Sequence, residues 1–293
     1  MKKLMYIMSL LLLSLSVQAA NFNEANWYLT IDVAQIRDRI VPLLPDIKKA
    51  QKHLKIDALV PEGVGQVTLY GQSNQDNDLT AVFHGQFDQF SIPDYVSQLM
   101  IAANEFDTLA VNSMKAYKGR VIEHISSTDD DDDVSIYASA VNSHTMVVSF
   151  DQAEVKNWID QRYSDQALVP GGLVTLLVNV ESAMAHMGAD LSDDQGNFKS
   201  TVFQKINRIS GSVIDDGANL LIEAAFGTRD EATAKQVEQV INGLVAINAL
   251  SNQATESPAL ATVIQKLRVI NQGKDLIFST SIPFDLAIEA MVD

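Results

Sequence analysis

The chain has no cysteine. Disulfides, thiol nucleophiles and lipid attachment to a cysteine behind an export signal are therefore excluded. The core alone must hold the fold. Positive charge is also scarce: 21 Lys and Arg stand against 37 Asp and Glu, a formal net charge of −16. Nucleic-acid binding rests on basic patches, and anionic lipid surfaces attract Lys and Arg, so no nucleic-acid partner and no docking on anionic lipid are expected. Beyond the first twenty residues no apolar run approaches the roughly 20 residues of a membrane span. The local signatures GxSxG, HExxH and SxxK do not occur in a suitable context, and no glycine-rich phosphate loop is present. A pair of carboxylates acting on a glycosidic bond stays open, because such residues need not be close in sequence.

What is present begins with MKKLMYIMSLLLLSLSVQAA. Lys2 and Lys3, an apolar stretch from Leu4 to Val17, and small residues behind it read as a cleavable signal peptide over 1–19. Val17 and Ala19 at the minus-three and minus-one positions place cleavage before Ala20. The expectation is a periplasmic or secreted protein with no span after cleavage. Loss of the two lysines leaves 19 basic residues against 37 acidic ones, a charge of −18. A hydrophobic fraction of 47% is that of a globular chain.

The clearest architecture is Asn219 to Leu250. Leu220, Leu221, Ile222, Ala224, Ala225 and Phe226 form a strand ended by Gly227, and Thr228 with Glu231 forms a capping box. Val237, Val240, Ile241, Leu244 and Val245 then fall on one helix face. Earlier in the chain, Trp27–Val33 reads as a strand and 33–55 as a helix broken by Pro42 and Pro45. Gln66–Gln72 and Leu79–Phe87 flank a polar turn as a hairpin. Ser91 with Asp94 opens a helix; Arg120–Ile125, Val134–Val141 and Thr145–Phe150 are strands; Asp151 with Glu154 caps a helix bearing Val155, Trp158 and Ile159.

The second half repeats this order: a strand at Leu173–Val180, a helix around Phe198 to Ile206, a hairpin at 209–214 and 220–226, the capped helix, a helix opened by Ser257 and Pro258, strands at 268–270 and 276–281, and a closing helix at 284–291. Gly85 and Gly227 lie 142 residues apart, as do Asp133 and Asp275, while Ile122 and Ile270 lie 148 apart. The expected fold is α+β, a tandem duplication of a mostly antiparallel sheet unit with helices packed on one face. The first repeat spans 20–165 and the second 166–293.

Five carboxylates, Asp129, Asp130, Asp131, Asp132 and Asp133, are the most conspicuous polar run. They are the candidate metal site, for calcium, which takes six to eight oxygens. No glycine or closing glutamate completes an ordered ligand loop there, and such runs are usually solvated. Asp190, Ser192, Asp194, Gly196 and Asn197, and likewise Asn74, Asp76 and Asp78, approach a calcium-loop spacing but fail it and read as turns. His53, His84, His124, His144 and His186 show no metal-site spacing, although His84 and His124, with Glu123 nearby, lie in strands that could meet. Asp32 and Asn179 occupy matching strands and read as outward-facing.

These observations favour a non-enzymatic extracytoplasmic binding or protein-interaction module, its partner an unknown protein, peptide or small apolar ligand, with the acidic surface suiting a basic partner. A secreted hydrolase with dispersed residues and a calcium-stabilised structural protein are the alternatives. Thermal melts with and without millimolar calcium separate the last of these.

Overall fold

The computed structural model describes residues 25–40, 42, 63–72, 78–88, 90–95, 109–114, 116–127, 135–163, 172–180, 205–250 and 258–287. The proposed signal peptide, the Asp129–Asp133 run and the helices expected near 43–55 and 198–203 lie outside the described residues. Two compact units divide the chain at Val169 and Pro170, with residues 26–29 grouped with the C-terminal one. Both are α+β with mostly antiparallel strands.

β1 (Trp27–Asp32), of which residues 30–32 belong to the first unit, leads into a short helix, α1 (Val33–Gln35), which Asp32 caps by accepting the Gln35 N–H at 2.8 Å. A π-helical turn follows at Ile36–Ile40. β2 (Val64–Gly71) and β3 (Thr80–Gly85) form the expected hairpin. Gly85 closes it where only glycine fits, since a Cβ there would sit 2.1 Å from the Gly63 carbonyl oxygen. β4 (Leu109–Ser113), β5 (Glu123–Ser127), β6 (Ser135–Ala140) and β7 (Thr145–Ser149) complete the order β2-β3-β7-β6-β5-β4, every pair antiparallel.

Directly opposed residues share a face, so the registers sort this sheet into two unlike surfaces. One collects Val67, Ile125, Ala138 and Met146 into a core with Ile92 of the helical turn Ile92–Tyr95. The other collects hydroxyls: Thr68, Thr80, Ser139, Thr145 and Ser149 are all buried. Thr80 Oγ1 lies 2.7 Å from Ser149 Oγ, Thr68 Oγ1 3.1 Å from Thr30 Oγ1, and Ser139 Oγ donates to the Val121 carbonyl at 2.8 Å. The helix α2 (Gln152–Ile159) packs on this hydroxyl side, through Trp158 against Tyr70. Helical segments of this unit thus occupy both faces, which corrects the expectation of one. A buried indole N–H needs an acceptor, and the Tyr70 hydroxyl on this face supplies it.

The second unit has the order β8-β9-β10-β12-β11, from β8 (Val174–Asn179), β9 (Ile206–Asp215), β10 (Asn219–Thr228), β11 (Arg268–Gln272) and β12 (Asp275–Pro283). Its apolar face places Ala224, Leu276 and Phe278 beneath Ala234 and Val237 of α3 (Glu231–Leu250). The helix α4 (Pro258–Lys266) is tied to β12, where Thr280 Oγ1 donates to the Val263 carbonyl at 2.9 Å. Opposite lies a polar row in which Thr175, Ser212, Glu223, Ser279 and Arg268 are successive partners across the strands.

Three local readings change. The α3 cap is Asp230, whose Oδ1 accepts the Thr233 N–H at 2.7 Å, and not Thr228, which is still paired in β10 and donates its hydroxyl to the Asp230 and Lys274 carbonyls. That backbone N–H holds the Asp230 carboxyl below the usual carboxylate range. Ile206 begins β9 instead of ending a helix. β4 is a strand beyond those expected, its LAVNS sequence being short and weakly alternating.

Candidate functional site

The polar cluster of the first unit is built from three elements. Alternation along β2 turns Val67 and Leu69 to the core and Thr68 and Tyr70 to the hydroxyl face. Trp158 and Glu154, four residues apart, share one side of α2. Tyr163 follows the helix end. These side chains lock together: Trp158 Nε1–H donates to the Tyr70 hydroxyl at 2.8 Å, and that hydroxyl donates to Glu154 Oε2 at 2.9 Å. The Tyr163 hydroxyl lies 3.1 and 3.0 Å from the two Glu154 oxygens, and Asn157 Nδ2 donates to Glu154 Oε1 at 3.3 Å. The Trp158 and Tyr163 rings pack at 5.4 Å.

Burial, and secondarily the adjacent Glu154 charge, raises the Tyr70 phenol well above its ordinary value. It therefore stays protonated and serves as a hydrogen-bond donor, with no role as a base near neutral pH.

The helix start explains why Glu154 is available. In a closed capping box the glutamate at this position reaches back to the cap N–H. Here Asp151 Oδ1 accepts from the Ala153 N–H at 2.8 Å, but the Asp151 N–H donates to Ser149 Oγ at 3.1 Å. A hydroxyl of the sheet has taken the place of Glu154, which turns to the two tyrosines.

Tyr70, Gly71, Gln72, Asp78, Thr80, Ser149, Asp151, Glu154 and Tyr163 line a cavity of about 220 Å³. Among its described lining residues none is basic. Glu154 and Asp151 present carboxylate oxygens whose described partners are neutral donors, so the cavity can accept hydrogen bonds and attract positive charge.

Of the metal-site and histidine candidates singled out from sequence, Asp78 lines the cavity. Asp129, Asp130, Asp131, Asp132 and Asp133 lie outside the described residues, as do His53, Asn74, Asp76, His186, Asp190, Ser192, Asp194, Gly196 and Asn197. Asp78 accepts the Gln72 N–H at 2.9 Å, a loop-closing role, and also lines the cavity. His84 on β3 and His124 on β5 are kept apart by β7 and β6, roughly 14 Å at the usual strand spacing. His124 stacks on Tyr137 at 4.9 Å and bonds Ser135, while Glu123 turns to the opposite face and accepts from Ser113 Oγ at 2.7 Å. His144 Nδ1 lies 3.2 Å from the Gly85 carbonyl oxygen. Asp32 is a helix cap, and Asn179 is exposed opposite Arg208. Among the described residues no group of three or more metal-binding side chains is formed, and no helix is long and apolar enough to cross a membrane.

Sequence reasoning missed Tyr70 and Tyr163, and took Glu154 for a cap. The available signal was Trp158 on the buried side of an eight-residue helix, since its N–H required a polar partner.

Fold and cluster define an α+β protein with a polar cavity, and comparison with known proteins adds the following. No protein-family model matches the chain, and no curated protein matches it. Among solved structures the chain is similar to three crystal forms of TP0453. Form IV has 12% identity over 92% of this chain and 93% of that one, with a TM-score of 0.48. Form III has 11% identity over 94% and 96%, with a TM-score of 0.47, and form I has 10% identity over 94% and 95%, with a TM-score of 0.46.

Proposed function

We propose that this protein is an exported, non-enzymatic binding module built from two related α+β units, and that the Tyr70–Glu154–Tyr163 cavity is its ligand site. Export rests on the Lys2/Lys3 and apolar N-terminal pattern. Relatedness of the units is supported by their matching strand orders. In each, a two-stranded hairpin is followed by a strand that returns to its outer edge, β7 beside β3 and β12 beside β10. Each sheet also pairs an apolar face with a polar one. On this reading β6 and β11 are counterparts, and the β4–β5 hairpin is an insertion in the first unit, so Ile122 and Ile270 are not equivalent.

The observation that carries the functional reading is the half-buried hydrogen-bond network, anchored on the buried Trp158–Tyr70 bond, that holds Glu154 at the cavity. A carboxylate fixed by two phenols and an amide is preorganised to receive a donor, which lowers the ordering cost of binding. At about 220 Å³ the cavity falls below the roughly 300 Å³ at which small-molecule sites begin. It suits a group the size of one side chain, and its charge favours a basic one.

Native mass spectrometry of the protein purified from its own compartment tests this. The expected result is an adduct of defined mass, or a co-purifying polypeptide, that Glu154→Gln loses. An adduct-free spectrum for the wild type, or turnover of added substrate abolished by Glu154→Gln, overturns the reading.

A further inference from the structure

A second surface, with the reverse charge, runs along α2 from Gln152, whose Oε1 accepts from Lys156 Nζ at 2.8 Å, to Asp160. Tyr117 and Arg120 bond each other through both backbone groups, at 2.8 and 2.9 Å. The two residues between them have positive φ, 47° at Lys118 and 80° at Gly119, a tight two-residue turn. Lys118 therefore stands at the tip of a hairpin with its side chain 60% exposed.

Its ammonium lies 5.6 Å from the centre of the Tyr117 ring, and the Lys156 ammonium, from the last turn of α2, lies 5.8 Å from the same ring. The Tyr117 hydroxyl donates to Asp160 Oδ2 at 3.2 Å, which ties the turn to the helix end. Arg120 is the cross-strand partner of Tyr117 and so shares its face. Arg162 follows the helix end, its backbone N–H donating to the Asn157 carbonyl at 3.1 Å. Met114, a large hydrophobic 37% exposed, borders the patch and receives a contact from Gln152 Nε2 at 3.1 Å.

Two ammonium groups thus face one tyrosine ring, with Arg120 beside it across the turn. Among the described residues the ion pair formed there is Lys118 with Asp160, at 2.7 Å. Such a concentration is conspicuous in a chain of net charge −16. Two lysines facing one ring repel each other, and the repulsion is relieved when carboxylates settle between them.

We infer that the Tyr117–Arg120 turn and the end of α2 form a docking surface for an acidic peptide segment of a partner protein. The overall charge decides against larger polyanions. A membrane or a nucleic acid brings many charges within a screening length, about 8 Å at physiological salt, of the surrounding acidic surface. A short Asp- and Glu-bearing segment touches only the patch, and its aliphatic carbons can lie on Met114 and the Tyr117 ring.

The test is fluorescence anisotropy with a fluorescein-labelled nine-residue peptide of Asp, Glu and Ser. The full protein is compared with the double variant Lys118→Asn and Lys156→Gln. Asparagine tolerates the left-handed backbone at 118, so folding is preserved, and circular dichroism checks it. The expected result is saturable binding that the double variant weakens at least about tenfold, and that rising salt weakens too. Arg162→Gln alone should weaken it by a smaller factor.

Equal affinity of wild type and double variant overturns the inference. So does retention of anionic lipid vesicles or single-stranded DNA as strong as that of the peptide. Sedimentation supplies the last arm: peptide-free self-association lost in the double variant would make the occupant a second copy and overturn the assignment to a partner segment.

Discussion

The two ends of α2 differ in how their charges are held. At the first turn, Glu154 is fixed by a network whose centre, the Tyr70 hydroxyl, is buried between Trp158 and the hydroxyl face of the sheet, while Asp151 accepts the Ala153 N–H. Toward the last turn, the half-buried Lys156, which donates to Gln152 Oε1, and the exposed Lys118 of the hairpin tip both rest beside the Tyr117 ring. Acids at a helix N-terminus and bases at its C-terminus both complement the helix dipole, so each arrangement has an ordinary structural explanation. The difference lies in depth. Charge set over a buried network is committed to stability and to one geometry, whereas charge at the surface can be removed with little effect on folding. The first end is therefore read as a preorganised site and the second as an adaptable docking face.

The comparison breaks most severely at Trp158, which is 2% exposed. Trp158→Ala should destabilise the protein by about 3–5 kcal/mol in urea unfolding, because it removes the packing of α2 and opens a cavity. It should abolish ligand retention and peptide binding together, since both ends of the helix lose their seat. Tyr70→Phe separates the two. It leaves the Trp158 N–H buried without its acceptor, at a cost of about 1–3 kcal/mol. Ligand retention should fall while peptide binding at the far end stays within twofold. Equal loss of both would show that the ends do not act independently.

The smallest expected effect is that of pH on the exposed end. The Lys118 ammonium, by its hydrogen bond, holds the Asp160 carboxyl below the usual carboxylate range, and Asp160 in turn raises Lys118. A depressed carboxyl contributes stability above its unfolded pKa, near 3.9, and loses it as pH falls through the folded value. A raised lysine contributes below about 10.4 and loses it at higher pH. Urea midpoints of the wild type should therefore decline slightly faster below about pH 4 than those of Asp160→Asn, with no difference between the two slopes near neutrality. Identical acid limbs would remove the ion pair from the account.

Much of the sheet was legible because alternation is a local signal: TLYG and TAVFHG give their faces away residue by residue. The capping residue at Asp151 was legible for the same reason. Glu154 was not, since its diversion depends on Ser149 of β7 occupying the Asp151 N–H, a contact between elements that no spacing rule anticipates. The basic surface was equally hidden. Lys118 and Arg120 are separated from Lys156 and Arg162 by more than thirty residues, and the Tyr117 to Asp160 hydrogen bond unites them only once the hairpin has formed.

By itself the sequence determined the absence of thiol chemistry, the acidic balance, the strands with their apolar alternation, and the α+β class, because each depends on composition or on neighbours within a turn or two. Tertiary structure alone decided which strands became neighbours, which face received α2, and which distant carboxylates, phenols and cations share a surface. Those outcomes follow from register and from a buried indole seeking its acceptor, and both are settled only by contacts between residues far apart along the chain.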